Sequence, residues 1–292
     1  HALVALQHCP VLVPAVGTRL PELAGLLSGL PLAPALQELE VSVGDDLTVL
    51  VLRHAGTPTA GDHARLQAFG AATGMQLALQ SQAERQAGSA PAVARPRYRL
   101  PGFELELAFD PTGFVQVNAA VNDALVGRVV SLLDAGPQAQ VLDLYCGTGN
   151  FTLPLARRAG AVHGLEGAPA LVELARANAT ANRVANCTFQ VADLEDAPEP
   201  LGRGAPAFTH AVVDPPRQGA AACLPWLARQ PLQRLVYVSC DPATLARDAG
   251  SLVKQHGFAL AAAGLVDMFP HTAHVEALAL FTRRAGRGSA AR

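Results

Sequence analysis

From Val141 onward, short apolar runs alternate with helical segments, and this alternation confines the chain to a narrow set of folds. The runs are Val141–Leu144, Ala161–Leu165, Thr188–Val191, His210–Val213, Leu235–Val238 and Val275–Phe281, with helices predicted at Pro169–Asn182 and Pro242–His256. Strands interleaved with helices form a doubly wound, mostly parallel sheet, and such sheets bind ligands at the carboxyl ends of their strands. The predicted fold class is therefore α/β.

The upstream part reads differently. Leu36 to His54 alternate around Gly44-Asp45-Asp46 in the manner of a hairpin. Asp62 to Ala72 reads as a short helix capped by Asp62, and Met75 to Gln80 as another strand. Ala87 to Pro96 is rich in breakers and reads as a linker or long loop. From about Tyr98 follow a strand, the segment Phe114-Val115-Gln116-Val117-Asn118 and a helix from about Ala119 to Leu133. The expected organisation is a small α+β domain over 1–108, the sheet domain over 109–284 and a disordered tail over 285–292.

A chain of 292 residues, half of them apolar, buries a core large enough for two domains. Its net charge of −2 is not the basic excess of a dedicated nucleic-acid-binding module. No run approaches the ~18 apolar residues of a membrane span, and the start at His1 lacks the charged region of a signal peptide. These features point to a cytoplasmic protein that does not engage membranes. Five widely spaced cysteines, Cys9, Cys146, Cys187, Cys223 and Cys240, show no zinc-type pairing and are expected to be reduced thiols.

The stretch Val141-Leu142-Asp143-Leu144-Tyr145-Cys146-Gly147-Thr148-Gly149-Asn150-Phe151-Thr152 runs from a strand through an aspartate into two glycines and a helix. Glycines allow a tight turn and close approach of a ligand, and the helix start offers unpaired N–H groups. A dinucleotide fingerprint has a third glycine where this chain has Thr152. Asp143 suits a cationic ligand better than a pyrophosphate, and S-adenosylmethionine, with its sulfonium and amino group, is such a ligand.

Acids recur at the ends of the neighbouring strands. Glu166, about 20 residues past the glycines, is placed to accept hydrogen bonds from ribose hydroxyls. Asp193 would reach the adenine side, although Glu195 and Asp196 follow it and a solvated acidic loop explains all three nearly as well. In Asp214-Pro215-Pro216-Arg217, the prolines hold a rigid segment across the crevice floor. Amino-methylating enzymes place an aromatic after a similar Asp/Asn-Pro-Pro, so Arg217 argues against that chemistry.

Cys240 ends the run Leu235–Ser239, and Asp241-Pro242 after it read as the cap and first residue of a helix. The positive end of that helix is expected to lower the thiol pKa and populate a thiolate nucleophile. A buried structural cysteine is the alternative. Asp267 to Glu276 supplies candidate bases: Glu276, or His271 and His274, whose ordinary pKa lies nearer neutrality. The two histidines lack a third ligand nearby, which argues against a metal there.

These segments, in this order, resemble the RNA uracil-5-methyltransferases, and among them the type that modifies large-subunit ribosomal RNA. The resemblance covers nearly the whole chain and is carried by Phe114 to Asn118, Asp143 to Pro154, Asp214 to Arg217, Tyr237 to Asp248 and Asp267 to Glu276. It implies a Rossmann-like class I methyltransferase sheet preceded by a small α+β domain. It also implies S-adenosyl-L-methionine as cofactor and methylation of carbon 5 of a uridine through a covalent cysteine adduct at carbon 6. By the same resemblance, Cys240 is the nucleophile and Glu276 the base. Gln116, Tyr145, Asn150, Glu166, Asp193 and Asp214 fall on cofactor positions, while Gln116, Asp214 and Arg217 orient the target base.

Cys9, in His8-Cys9-Pro10, matches the last of four ligands to a 4Fe-4S cluster. The other three cysteines and an RNA-binding β-barrel of the family would precede residue 1, so the chain is expected to be a fragment of a longer protein. The implied partner is ribosomal RNA, with no protein partner and a monomeric state. Rival readings are methylation of transfer RNA, a nicotinamide-dependent oxidoreductase, and a cofactor-binding fragment without turnover. Cytosine-5 methylation would want a second cysteine where this chain has Asp214 to Arg217.

Overall fold

The computed structural model describes residues 6–9, 11–195, 201 and 206–283. The expected disordered tail over 285–292 lies outside the described residues, as does Asp196. The chain divides into two compact units, His1–Tyr98 with Ala108–Val115, and Arg99–Leu107 with Gln116–Arg292.

In the first unit, α1 (Pro14–Gly17) and α2 (Leu20–Gly29) precede a three-stranded sheet of β1 (Leu36–Val43), β2 (Thr48–His54) and β3 (Gln76–Ser81). The expected hairpin is present, β1 pairing antiparallel with β2. β3 runs parallel to β2, which requires a crossover, and α3 (Ala60–Thr73) supplies it. Leu50 and Leu52 of β2 pack with Leu66 of α3, Leu23 of α2 and Val16 in one apolar cluster. A short α4 (Gln82–Gln86) follows β3.

The cap of α3 is Thr59, not Asp62 as expected from the sequence. The Thr59 hydroxyl accepts from Asp62 N, and the Asp62 carboxylate accepts from Thr59 N at 2.7 Å, a reciprocal capping box. Asp62 also accepts from Leu32 N at 2.9 Å, so this fully buried carboxylate ties the helix start to a distant turn.

A two-stranded sheet of β4 (Arg97–Leu100) and β5 (Leu105–Ala108) follows in the chain. Phe114 to Val117 has no regular structure, and Asn118 then caps α5 (Ala119–Leu133) by accepting from Val121 N at 3.3 Å.

The second unit holds β6 (Gln140–Leu144), α6 (Thr152–Ala156), β7 (Ala161–Glu166), α7 (Pro169–Ala181), β8 (Cys187–Val191) and β9 (His210–Val213). It continues with α8 (Leu224–Arg229), β10 (Arg234–Ser239), α9 (Pro242–Lys254), β11 (Phe258–Val266) and β12 (Glu276–Arg283). The sheet order is β11-β12-β10-β9-β6-β7-β8. From β8 to β10 all pairs are parallel, whereas β12 is antiparallel to both its neighbours. The chain winds outward in opposite directions from the β6–β9 boundary, the switch point where such sheets open a crevice.

The pleat decides which side chains share a face, because residues two apart along a strand point the same way. Leu142, Leu144, Val213, Leu235, Tyr237, Ala279 and Phe281 pack on one side with Trp226 and Leu227 of α8 and Leu245 and Leu252 of α9. On the opposite side the register aligns Asp143 with Val212, Val212 with Val236, and Val236 with Leu280. Continuing that face to the strand ends gives Asp214, Cys240 and Glu276.

Candidate active site at the strand ends

The loop after β6 is built on positive backbone angles, φ 63° at Tyr145, 53° at Gly147 and 96° at Gly149. A side chain at 147 would meet open space, so glycine serves conformation there, not packing. Glu166, at the end of β7, braces the turn: one carboxylate oxygen accepts from Gly147 N at 3.1 Å and the other from Ala168 N at 2.9 Å. Asn178 of α7 donates to Thr148 O at 3.1 Å. Asn150 exchanges two amide hydrogen bonds of 3.0 Å with Asn122, a buried residue of α5. The Tyr145 hydroxyl donates to Leu194 O at 3.2 Å, and burial pushes its phenol above the ordinary range. Asp193 is exposed and accepts from Glu195 N at 2.9 Å.

Thr152, where a dinucleotide fingerprint has its third glycine, donates its hydroxyl to Asp143 at 2.5 Å. Asp143 is fully buried, its other oxygen has no hydrogen-bond partner among the described residues, and burial pushes its carboxyl up to about 7. The Gln116 Oε1 is likewise buried without a hydrogen-bond partner among the described residues. A buried polar atom without a partner costs about 1–3 kcal/mol, so both oxygens call for donors from a ligand.

The other side of the edge carries Cys240, Asp214 and Glu276. The last pair between β10 and β12 is Ser239 with Ala277, so the next step sets Cys240 opposite Glu276. Side chains in that relation have Cβ atoms roughly 4.5–5.5 Å apart. Glu276 is buried, and burial raises its carboxyl above the ordinary range. Asp214 is half-buried, and burial, with Glu276 and Asp143 nearby, pushes it up to about 8. Among the described residues, neither Asp214 nor Glu276 accepts a hydrogen bond at its carboxylate. Arg217 is exposed, and its positive charge acts on Cys240. His271 and His274 are both exposed in the loop before β12.

The expected lowering of the Cys240 pKa does not occur. Asp241 does cap α9, accepting from Ala243 N at 2.8 Å and Thr244 N at 3.2 Å, and this uses the donors that would have favoured a thiolate. Burial first, then the Glu276 and Asp214 carboxylates, raise the thiol pKa, and Arg217 offsets them in part. Burial pushes Cys187 and Cys223 up to about 11. The sequence offered no signal for the Asn122–Asn150 pair or the Thr152–Asp143 bond, which depend on helices meeting the loop in space.

Cys9 stands in the first unit, its N–H donating to Gly17 O at 3.3 Å. No group of three or more His, Cys, Asp or Glu able to hold a metal occurs among the described residues. Nor is any helix among them long and apolar enough to cross a membrane.

The fold is that of a Rossmann-like methyltransferase. It is similar to the crystal structure of Pyrococcus abyssi tRNA (uracil-54, C5)-methyltransferase in complex with S-adenosyl-L-homocysteine, with a TM-score of 0.74 at 22% identity over 96% of this chain and 70% of that one. Pyrococcus horikoshii TYW2 in complex with MeSAdo gives a TM-score of 0.55 at 15% identity, over 91% of this chain and 99% of that one. A family model described as tRNA (Uracil-5-)-methyltransferase matches residues 97–199 and 204–284, and the chain belongs to that family. It is 48% identical over 286 residues to the 23S rRNA (uracil(1939)-C(5))-methyltransferase RlmD of Alkalilimnicola ehrlichii, covering 96% of this chain and 63% of that protein. The RlmD of Methylococcus capsulatus is 45% identical over 284 residues, covering 96% of this chain and 64% of its own length. The chain therefore spans slightly less than two thirds of the length of these relatives.

Proposed function

We propose that the chain carries the catalytic part of an S-adenosylmethionine-dependent enzyme that methylates carbon 5 of a uridine in large-subunit ribosomal RNA, in the cytoplasm. The observation that carries this reading is the placement of Cys240 one register step beyond the last β10–β12 pair, opposite the buried Glu276 and on the face of Asp214. Ribosomal RNA is favoured over transfer RNA because the relatives above 40% identity are named for 23S rRNA, whereas the transfer-RNA enzyme shares only 22%.

The cofactor fits the residues present. Asp143 and Gln116 offer buried oxygens that lack donors, and the Gly147 turn is open to close approach. Gln116, Tyr145, Asn150, Glu166, Asp193 and Asp214 would hold it. S-adenosylmethionine, when bound, supplies the methyl group that carbon 5 takes up.

Cys240 gives up its proton to water and bonds through the thiolate sulfur to carbon 6 of the ring, leaving enolate character that makes carbon 5 nucleophilic. Arg217 faces the negative charge that develops, while Asp214 and Gln116 orient the base. Glu276, whose basicity burial has raised, removes the carbon 5 proton, and the Cys240 sulfur then leaves. The target base must first be drawn from its stack, at a cost of a few kcal/mol.

A ribosomal RNA fragment carrying 5-fluorouridine tests the reading, because fluorine cannot leave as a proton and the adduct persists. A denaturation-stable protein–RNA band is expected with the native cysteine and none with Cys240→Ala. A band that survives this substitution removes Cys240 from the role.

A four-iron cluster takes four thiolates. Cys9 is the only cysteine of the first unit, so the residues present do not fit such a cluster by themselves and no step runs through one.

A further inference from the structure

On the face of the sheet opposite Asp143, behind the chemistry, lies a polar node that the steps above do not use. Tyr237 of β10 is fully buried, and its hydroxyl donates to the Asp248 carboxylate of α9 at 2.6 Å. The same carboxylate oxygen accepts from Ala220 N at 2.9 Å, and Ala220 N also donates to the Tyr237 hydroxyl oxygen at 3.0 Å. The second oxygen of Asp248, itself 1% exposed, is held by Arg247 Nε at 2.8 Å. Arg247 then reaches Gln218 O at 2.7 Å.

Three of these bonds reach Gln218-Gly219-Ala220, the segment that directly follows Arg217. Gly219 has φ 81°, and a side chain there would stand 2.5 Å from Arg247 Nη2 and 2.6 Å from Asp248 Oδ2. The helix that supplies Asp248 and Arg247 starts two residues after Cys240. One buried carboxylate thus joins the chain just after Arg217 to the strand and helix on either side of Cys240.

We propose that Asp248, with Tyr237 and Arg247, is a positioning node that fixes Arg217 beside Cys240. The charges that act most strongly on that thiol are those of Glu276 from β12, and Asp214 and Arg217 from the segment after β9, while Asp241, next to it in sequence, is engaged in capping α9. Arg217 is the one cation among them. Loosening the node withdraws the cation and leaves the two carboxylates, so the thiol becomes harder to ionise. The inference rests on the reading of Cys240 as nucleophile for its meaning in catalysis, but its test needs neither RNA nor methyl transfer.

The test is the rate at which iodoacetamide alkylates Cys240, followed by mass spectrometry of the peptide that contains it, over a pH range of about 6.5 to 10. In Asp248→Asn the profile is expected to move to higher pH by about half to one unit, seen as a roughly three- to tenfold slower reaction at neutral pH. Arg247→Gln changes a side chain that is 51% exposed and is expected to move the profile in the same direction, so it carries the decision if the Asn variant does not fold. Arg217→Gln should shift the profile by itself, and adding Asp248→Asn or Arg247→Gln should then add little, because both act through the same guanidinium. A purely structural node would leave the thiol profile of folded variants unchanged. A native profile in folded Arg247→Gln or in Arg217→Gln, or shifts that add in full, would overturn the proposal. Failure to trap 5-fluorouridine RNA would instead count against Cys240 as nucleophile, which keeps the two ideas separable.

Discussion

On the β6–β7 side of the sheet edge, Glu166 uses both carboxylate oxygens on backbone N–H groups, Asn150 is paired with Asn122, and Asn178 holds the Thr148 carbonyl. On the β9–β10–β12 side, Asp214 and Glu276 accept no hydrogen bond among the described residues, and both carboxyls, like the Cys240 thiol, are pushed upward by burial. The first side is a template held in shape by its own hydrogen bonds. The second keeps acids in a setting that favours their neutral forms, which costs stability and makes them stronger bases when they ionise. Asp143 is the exception on the template side, with one satisfied oxygen and one that is not.

The contrast can be broken most severely at the thiol. Cys240→Ala is expected to lower methyl transfer by about 10⁴-fold or more while leaving cofactor affinity near native, as measured by single-turnover kinetics and calorimetry. Loss of cofactor binding together with turnover would place Cys240 on the template side instead. Glu276→Gln should lower turnover by about 10²- to 10⁴-fold and let the covalent RNA adduct accumulate on ordinary uridine, since the carbon 5 proton is no longer removed. A Gln variant that turns over normally would return the base to His271 or His274.

Much of this division was legible in the sequence. All six apolar runs of the sheet domain became strands, because each is a short apolar run between helix or turn signals. β11 was missed: Phe258-Ala-Leu-Ala-Ala-Ala-Gly-Leu-Val is poor in branched residues and occupies an edge where most side chains are partly or fully exposed. The cap of α3 was misassigned because Thr59 and Asp62 are both good capping residues, and only their reciprocal bond decides between them. At the site, each acid could be read from its strand end. The raised Cys240 pKa could not, because it depends on burial in the folded chain and on Glu276 and Asp214 arriving from two other strands. The Asp248 node was equally hidden, since it joins residues 28 apart in sequence through a loop with no motif of its own.

The template side is probed by smaller effects. Glu166→Ala removes two charge-assisted backbone bonds from the glycine turn, and S-adenosylmethionine affinity is expected to fall by about ten- to a hundredfold in a calorimetric titration. Unchanged affinity would mean that the turn holds its shape without Glu166.

The mildest effect concerns pH. Asp143 is pushed up to about 7 and Asp214 to about 8, with Glu276 raised as well, whereas their ordinary values lie near 4. Between those limits the folded chain binds more protons than the unfolded one, so stability is expected to fall as pH rises through the window from about 4 to about 8 and to level off above it. Melting temperatures of the ligand-free chain should fall across this range by a few degrees, and a rise would contradict the assignment of these acids to buried sites.

The most direct measurement is to digest the complex trapped on 5-fluorouridine RNA and locate the nucleotide by tandem mass spectrometry. The nucleotide mass should be found on the sulfur of Cys240 alone. Its presence on Cys146, Cys187 or Cys223, or its absence from every cysteine under conditions where methyl transfer proceeds, would contradict the central claim that this thiol bonds to the pyrimidine ring.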